Sequence, residues 1–412
     1  MDRLGPHLTK VIHPAQHGFV RGKSTITNLL LFQEFALSAF RVGRQVDAVY
    51  IDMAKAFDKV DHAILVAKLE GYGVVGPLLS WLADYLCDRP LVVKIGPTTS
   101  EQFVPSSGVP QGSLLGPCLF NVFINDLLDR IDVKALQFAD DLKIFAEVSS
   151  LEDSQKLQRN LMAIEDWCTR NNMSVNPSKC SSVTFHRINS PRMSTYSIFG
   201  TLIPPAPNIK DLGVLFEHDL GFSGHVDNIC NQGYKMLGFI SRFSRGIQSS
   251  AALRMLYCSL VRQNLEYASP VWSPYTSGAK VRLEALQRRF LRLVGVRQGY
   301  AYSDVPVADL AVQLNLPSLE LRRDVADVLL LCKIITGRVQ CPELLAEIDF
   351  RVPSSTRSRE LFGRRHHATN YDYNSPLGRF ARLGNRVSAH CDLFHDSAFV
   401  VKSCALGVLP VE

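Results

Sequence analysis

Apolar positions fall into short runs in the first half of the chain and into helical stripes in the second. Val46 to Ile51 is apolar apart from Asp47 and reads as a buried strand that closes on Asp52. Ala135 to Phe138 and Leu142 to Ala146 are two further strand-length runs, so close together that they predict a hairpin with Asp140 and Asp141 at its tip. Cys180 to Phe185 reads as another strand. Between these runs the spacing turns helical. Ser24 to Arg41 carries helix signals, Asp61 is placed to cap a helix over Ala63 to Glu70 that stops at Gly71 or Gly73, and Pro77 to Asp88 reads as a third helix. Ser113 opens the apolar stretch Leu114 to Leu128, which predicts a buried helix. Leu157, Leu161, Ile164 and Trp167 recur at helical spacing and mark a helix lying under the sheet. Leu91 to Val104 suggests a hairpin, and the Ser- and Pro-rich stretch Arg187 to Asn208 a loop or hairpin. Beyond Val214 the pattern is helical throughout, over Val226 to Phe243, Ala251 to Leu265, Lys280 to Val294 and Arg322 to Ile335. The class this predicts is α+β: an antiparallel sheet backed by helices, then a mostly helical region.

The polar residues at the strand ends carry the candidate chemistry. Two strand ends that deliver Asp52, Asp140 and Asp141 to one place make a hard-oxygen site, suited to magnesium held by carboxylates and substrate phosphates. Two such ions clamp the attacking and leaving oxygens of a phosphoryl transfer. The same residues also fit a plainer account, because Asp pairs are common in solvated turns and a lone Asp after a strand often caps a helix. Gly108 to Gly112 combines two glycines with Pro110, the composition of a tight turn that must approach something bulky, or of an ordinary helix entry. Lys179 follows a proline turn and fits either a charge-neutralising role or a solvated surface. Asp58 and Asp61 are left outside the metal site.

Several segments together resemble a known family in the order they occur. Gln16-His17-Gly18-Phe19-Val20-Arg21-Gly22-Lys23-Ser24 resembles the segment that precedes the first catalytic strand in reverse transcriptases of non-LTR (LINE-like) retrotransposons, closest to the Jockey-like elements. Asp52-Met53-Ala54-Lys55-Ala56-Phe57-Asp58 is similar to motif A, and Gly108-Val109-Pro110-Gln111-Gly112-Ser113 with Leu115-Gly116-Pro117 to motif B. Phe138-Ala139-Asp140-Asp141 is similar to motif C, with Phe in place of the commoner Tyr. Asn176-Pro177-Ser178-Lys179-Cys180 resembles motif D, and Lys210-Asp211-Leu212-Gly213-Val214 the primer grip, motif E. The resemblance covers about half of the chain, from Gln16 to Val214.

The resemblance implies a right-hand polymerase: a fingers remnant over 1–45, a palm over 46–215, a helical thumb over 216–300 and a C-terminal region, 301–412, of no assigned role. It implies an RNA-directed DNA polymerase that extends a DNA primer on an RNA template with deoxynucleoside triphosphates and two Mg2+ ions, Mn2+ being an alternative. Asp52, Asp140 and Asp141 would hold the metals, and Lys179 would serve the departing pyrophosphate. Phe57 would collide with a ribose 2′-hydroxyl and so select deoxynucleotides. Gln111 and Gly112 would steady the nucleotide, and Leu212 and Gly213 the primer. Relatives carry a larger fingers region with a basic triphosphate-binding residue, whereas only fifteen residues precede Gln16, with Arg3 and Lys10 as candidates. The expectation is a chain truncated at its N-terminus, with a catalytically inactive remnant that at most binds nucleic acid as the alternative. A telomerase or an intron maturase is a weaker third reading.

Composition refines this picture. The 412 residues are 46% hydrophobic, enough for two or three domains with sizeable cores, and the formal net charge is +6, compatible with a nucleic-acid partner. In the Lys280 to Val294 stripe, Leu283, Leu286, Phe290 and Leu293 form one face, and Arg282, Arg288, Arg289 and Arg292 decorate the others. Such a helix either lies along a phosphate backbone or exposes a solvated basic face. Arg357, Arg359, Arg364, Arg365, His366 and His367 make a further basic cluster near Tyr371 and Tyr373, a combination that holds single strands by charge and stacking. Ten cysteines without a C-x-x-C pair, and no secretory leader, predict reduced thiols inside the cell, and the family resemblance implies cytoplasm and nucleus. His390-Cys391 with His395 lacks a second ligand pair for zinc. No apolar run reaches the length of a membrane span.

Overall fold

The computed structural model describes residues 10–351, 360–363 and 366–409. Arg3, Arg357, Arg359, Arg364 and Arg365 lie outside them. The chain divides into two compact units, one formed by residues 1–28 and 34–209, the other by 29–33 and 210–412.

The first unit is built on a four-stranded sheet. Helix α1, Thr25–Arg41, precedes it, started by a capping box in which the Ser24 and Thr27 side chains satisfy each other's backbone amides. Strand β1, Val46–Ile51, leads into a 3-10 turn, Ala56–Asp58, and then α2, His62–Gly71, which the Asp61 carboxylate caps at the Ile64 amide. Helix α3, Pro77–Leu86, carries Pro at its start, where the missing N–H costs nothing. The predicted hairpin is present as the short strands β2, Lys94–Ile95, and β3, Thr98–Thr99, with a bridge from Leu91 to Phe103. Helix α4 covers only Gly116–Ile124, because the chain tightens into a 3-10 stretch over Asn125–Arg130. One long helix over Leu114 to Leu128 is thus corrected to two consecutive helical pieces.

Strands β4, Lys134–Phe138, and β5, Asp141–Glu147, form the hairpin. Helix α5, Leu151–Arg170, buries Leu157, Leu161, Ile164 and Trp167, the stripe that its spacing announces. Strand β6, Ser181–Phe185, completes the sheet, and a small hairpin, β7 (Tyr196–Ile198) and β8 (Thr201–Ile203), occupies the Ser- and Pro-rich stretch. The sheet order is β4-β5-β1-β6, with antiparallel pairing, so β1 is hydrogen-bonded on both edges. Its apolar face joins α2, α3, α4 and α5 in one core that includes Val49, Ile51, Leu65, Leu82, Phe120 and Ile164.

The second unit is helical apart from a hairpin. Strands β9, Asn208–Asp211, and β10, Val214–Glu217, are joined by Leu212 and Gly213, both with positive φ (43° and 91°). That turn gives two-residue hairpins the twist of their strands. Helix α6, Ser223–Phe243, follows, then α7, Ser250–Tyr257. The chain widens to a π-type stretch over Cys258–Arg262 before the one-turn helices α8, Gln263–Glu266, and α9, Ser269–Trp272. The single helix expected from Ala251 to Leu265 is therefore interrupted. Helix α10, Ser277–Arg297, is the basic one. Next come α11, Val307–Gln313, and the well-buried α12, Leu319–Ile335, then α13, Pro342–Ala346, α14, Asn370–Tyr373, α15, Pro376–Ser388, and α16, Ala398–Val408. None of the ten cysteines, all among the described residues, is in a disulfide. Among the described residues no helix is long and apolar enough to cross a membrane.

Candidate active site

The sheet register decides where the carboxylates stand. The β1–β5 pairing ends with Ile51 opposite Leu142, the residues adjoining Asp52 and Asp141. The β4–β5 hairpin closes with Phe138 opposite Asp141, leaving Ala139 and Asp140 as its two-residue turn. Asp52 and Asp140 thus come to the same end of the sheet from different strands, as half-buried side chains. Burial pushes the Asp140 carboxyl above its ordinary range, and the negative charge of Asp52 adds to that push. Asp141 begins β5 and is exposed.

A third segment reaches the same place. The Asp52 carbonyl accepts the Asn176 amide at 2.8 Å, and the Ala54 amide donates to Ser174 O at 2.8 Å, on either side of a bridge between Met53 and Val175. The turn that follows brings Lys179 Nζ to 3.9 Å from Asp52 Oδ2. Lys179 therefore faces the carboxylates, although most of its side chain is exposed.

The motif A turn and the glycine loop are stitched together beside them. Val109 N donates to Phe57 O at 2.9 Å and Gly108 N to Val60 O at 2.8 Å. The Gln111 amide donates to Asp58 Oδ1 at 2.8 Å, and His62 Nε2 donates to Gly108 O at 2.7 Å. Gly108 has φ +97°, and a Cβ on it would lie 2.9 Å from Asp58 O, so both its backbone and its closeness to motif A require glycine. Gly112, φ +76°, faces open space. Ser113 Oγ accepts the Gly116 amide at 2.9 Å at the entry to α4. Phe57 is stacked on Phe120, centroids 4.2 Å apart, with the ring of Phe19 edge-on at 6.3 Å. An aromatic wall thus stands next to a glycine-bounded loop whose Gln111 and Gly112 are exposed.

The remaining candidate residues belong to the second unit. Leu212 and Gly213 make the β9–β10 turn, where Tyr267 donates its hydroxyl to Leu212 O at 2.9 Å and its ring would touch a Cβ on Gly213 at 3.0 Å. On α10, the Arg289 guanidinium lies 5.5 Å from the Tyr234 ring centre and Arg292 lies 5.2 Å from that of Tyr302. Arg288 donates to its own helix, at Val281 O, 3.4 Å away. Among the described residues none of these three is in an ion pair, whereas Arg282 is tied to Asp227 at 2.6 Å.

The donor set suits a hard divalent cation. Asp52 and Asp140 offer only oxygen, and a cation held by them would offset the burial of the Asp140 carboxylate and the added repulsion of Asp52 that together raise it. Among the described residues no group of three or more His, Cys, Asp or Glu side chains stands close enough to hold a metal by itself. His390, Cys391 and His395 form no such group either.

Gln16, Gln137 and Asp58 are the structurally active residues that sequence reasoning passed over. Gln16 lay inside a segment noted for its resemblance, but nothing in its type or spacing marks it. Asp58 was set aside from the metals, and it is the partner that orients Gln111.

An antiparallel sheet backed by helices, with Asp52 following an inner strand and Asp140 and Asp141 at the neighbouring hairpin, has the make-up of a polymerase palm. Residues 1–240 match the family model "Reverse transcriptase (RNA-dependent DNA polymerase)", and the chain belongs to that family. It is 28% identical over 308 residues to the probable RNA-directed DNA polymerase from transposon BS of Drosophila melanogaster, covering 71% of this chain and 34% of that protein. It is 28% identical over 328 residues to the RNA-directed DNA polymerase from mobile element jockey of the same fly, covering 76% of this chain and 35% of that one. The Jockey-like resemblance of the motifs is upheld, and the chain spans about a third of the length of these curated relatives. Among solved structures, telomerase from Candida tropicalis with a fragment of telomeric RNA aligns at TM-score 0.42 and 11% identity, over 97% of this chain and 54% of that one.

Proposed function

We propose that the chain carries the polymerase centre of a non-LTR retrotransposon and extends a DNA primer on an RNA template. The observation that carries this reading is the convergence of Asp52, Asp140 and Lys179, from three separate segments, inside the region that matches the family. The step is attack of the primer 3′-hydroxyl oxygen on the α-phosphorus of a deoxynucleoside triphosphate; the hydroxyl proton passes to water, a new P–O bond forms, and the bond to the departing pyrophosphate breaks. Asp52 and Asp140, with Asp141 at the start of β5, would hold two magnesium or manganese ions, which supply charge neutralisation on the transferring phosphate and a lowered pKa for the hydroxyl. Lys179 offers a positive charge, and a proton, to the departing pyrophosphate. Phe57, backed by Phe120, forms the floor on which a sugar bearing a 2′-hydroxyl does not fit. Gln111, fixed by Asp58, and Gly112 leave backbone free to approach the nucleotide. Base choice falls to template pairing. The turn at Leu212 and Gly213 and the arginines of α10 would hold primer and template by backbone contact. A chain with this activity works in cytoplasm and nucleus, where element RNA and chromosomal DNA are found.

Primer extension on poly(rA)–oligo(dT) with Mg2+, comparing wild type with Asp140→Ala/Asp141→Ala, tests this directly. We expect extension that falls at least a thousandfold in the double variant. A folded, monodisperse wild type that does not extend overturns the reading and leaves nucleic-acid binding as the activity to measure.

A further inference from the structure

The turn that presents Asp140 is not self-supporting. Ala139 precedes it with φ +57°, a left-handed conformation that a residue with a Cβ adopts only when its surroundings impose it. Ala139 is buried, and both its backbone polar groups are taken up by side chains. Gln16 Oε1 accepts the Ala139 amide at 3.0 Å and, with its other lone pair, the Gly18 amide at 2.7 Å. Gln16 Nε2 reaches Ala139 O at 3.4 Å, where Gln137 Nε2 also donates at 2.8 Å. Gln16 is 2% exposed and Gln137 fully buried, so water does not replace these partners.

Gln16 is itself held in place. Its segment pairs in parallel with β4, Gln137 N donating to Ala15 O at 3.0 Å and His17 N to Gln137 O at 2.8 Å. Asn121 Nδ2 anchors Gly18 O at 2.8 Å. A Cβ on Gly18 would stand 2.3 Å from Ala139 N, so the glycine is what lets this segment lie against the turn.

We infer that Gln16 is a positioning residue for the Asp140 turn: it fixes the left-handed Ala139 peptide and through it the direction of the Asp140 carboxylate. Gln16 touches no reacting atom. Its importance to catalysis rests on the polymerase reading, while its hold on the turn does not.

The test uses the full chain as wild type, Gln16→Met and Asn160→Ala. Met fills the Gln16 space without hydrogen-bonding. Asn160→Ala removes buried hydrogen bonds to Asp132 N and Lys156 O elsewhere in the same unit, and serves as the control for general loosening. Hydrogen exchange over residues 136–142, Mn2+ binding by electron paramagnetic resonance, and primer extension are read together. Gln16→Met is expected to speed exchange of the 136–142 segment and to weaken Mn2+ binding, each at least tenfold. It should lower kcat with KM for the nucleotide within about threefold, while Asn160→Ala changes none of these by more than threefold. Unchanged exchange in a folded Gln16→Met, or an equal effect in Asn160→Ala, overturns the inference. If Gln16→Met does not fold, Gln16→Asn decides it: the amide is kept but is too short to reach the Ala139 peptide, so exchange of 136–142 should rise at least tenfold, and unchanged exchange overturns the inference. If wild type neither extends primers nor binds Mn2+, the polymerase reading fails, and hydrogen exchange still decides the role of Gln16.

Discussion

Phe57 is held on two sides, by the face of Phe120 and the edge of Phe19, so its ring has little freedom to turn. A rigid ring discriminates by collision more sharply than a mobile one. Replacing it with a smaller side chain should cost more in selectivity than in rate. For Phe57→Val we expect the preference for deoxynucleotides over ribonucleotides in kcat/KM to fall about tenfold or more, since the penalty is steric and disappears with the ring. Single-nucleotide incorporation with dTTP and UTP on the same primer measures it, and an unchanged ratio would show that another residue excludes the 2′-hydroxyl. At this scale sequence was a partial guide. Asp52, Asp140, Phe57 and Lys179 stand out by their place in motif-like segments that occur in order, not by type, since Asp and Lys are ordinary in turns. Gln16 does not, because a glutamine in a loop has no periodicity or spacing to betray that it is buried and bonded to a peptide more than a hundred residues away.

Elements are legible where one face is buried and the pattern is long. β1, the β4–β5 hairpin and α5 follow from their apolar positions, and Asp61 and Ser24 cap the helices they precede. The misses share one cause. The tightening at Asn125–Arg130 and the widening at Cys258–Arg262 change the backbone hydrogen-bond step without changing which side chains are apolar. Joints between elements are similarly hidden. Gly108 shows it: composition marks a turn, but only the structure shows Asp58 O waiting where a Cβ would go. Gly108→Ala should therefore destabilise the first unit by about 2 kcal/mol, from the left-handed backbone and the clash together. Urea denaturation against wild type checks this, and a change below about 0.5 kcal/mol would mean that the loop simply moves aside.

For the whole molecule, charge placement matters more than net charge. A formal +6 spread over 412 residues is a weak field, yet Arg288, Arg289 and Arg292 put three guanidinium groups on one helix, two of them beside tyrosine rings. If they neutralise phosphates, each adds to the counterions released on binding. Arg288→Gln/Arg289→Gln/Arg292→Gln should reduce the slope of log Kd against log salt by about 2 to 3 units on a labelled RNA–DNA hybrid. Fluorescence anisotropy between 50 and 200 mM salt (about the range over which such slopes are read) is sufficient, and an undiminished slope would assign the phosphate contacts to other cations.

The position of β1 has a consequence for how function is lost. It is flanked on both edges, and five of its six residues are buried. Strands so placed open only when the whole domain opens, whereas the exposed ends of the loops, at 111–112 and 178–179, can fluctuate on their own. The end of β1 that carries Asp52 therefore shares the fate of global folding, and Asp140 joins it through the paired hairpin. Copies of such an element that accumulate substitutions have two routes to silence. One is to lose the folded domain and the catalytic platform in a single step. The other is to keep an intact platform while the glycine loop and the Lys179 turn drift, leaving a protein that is native by every spectroscopic measure and slow only in turnover.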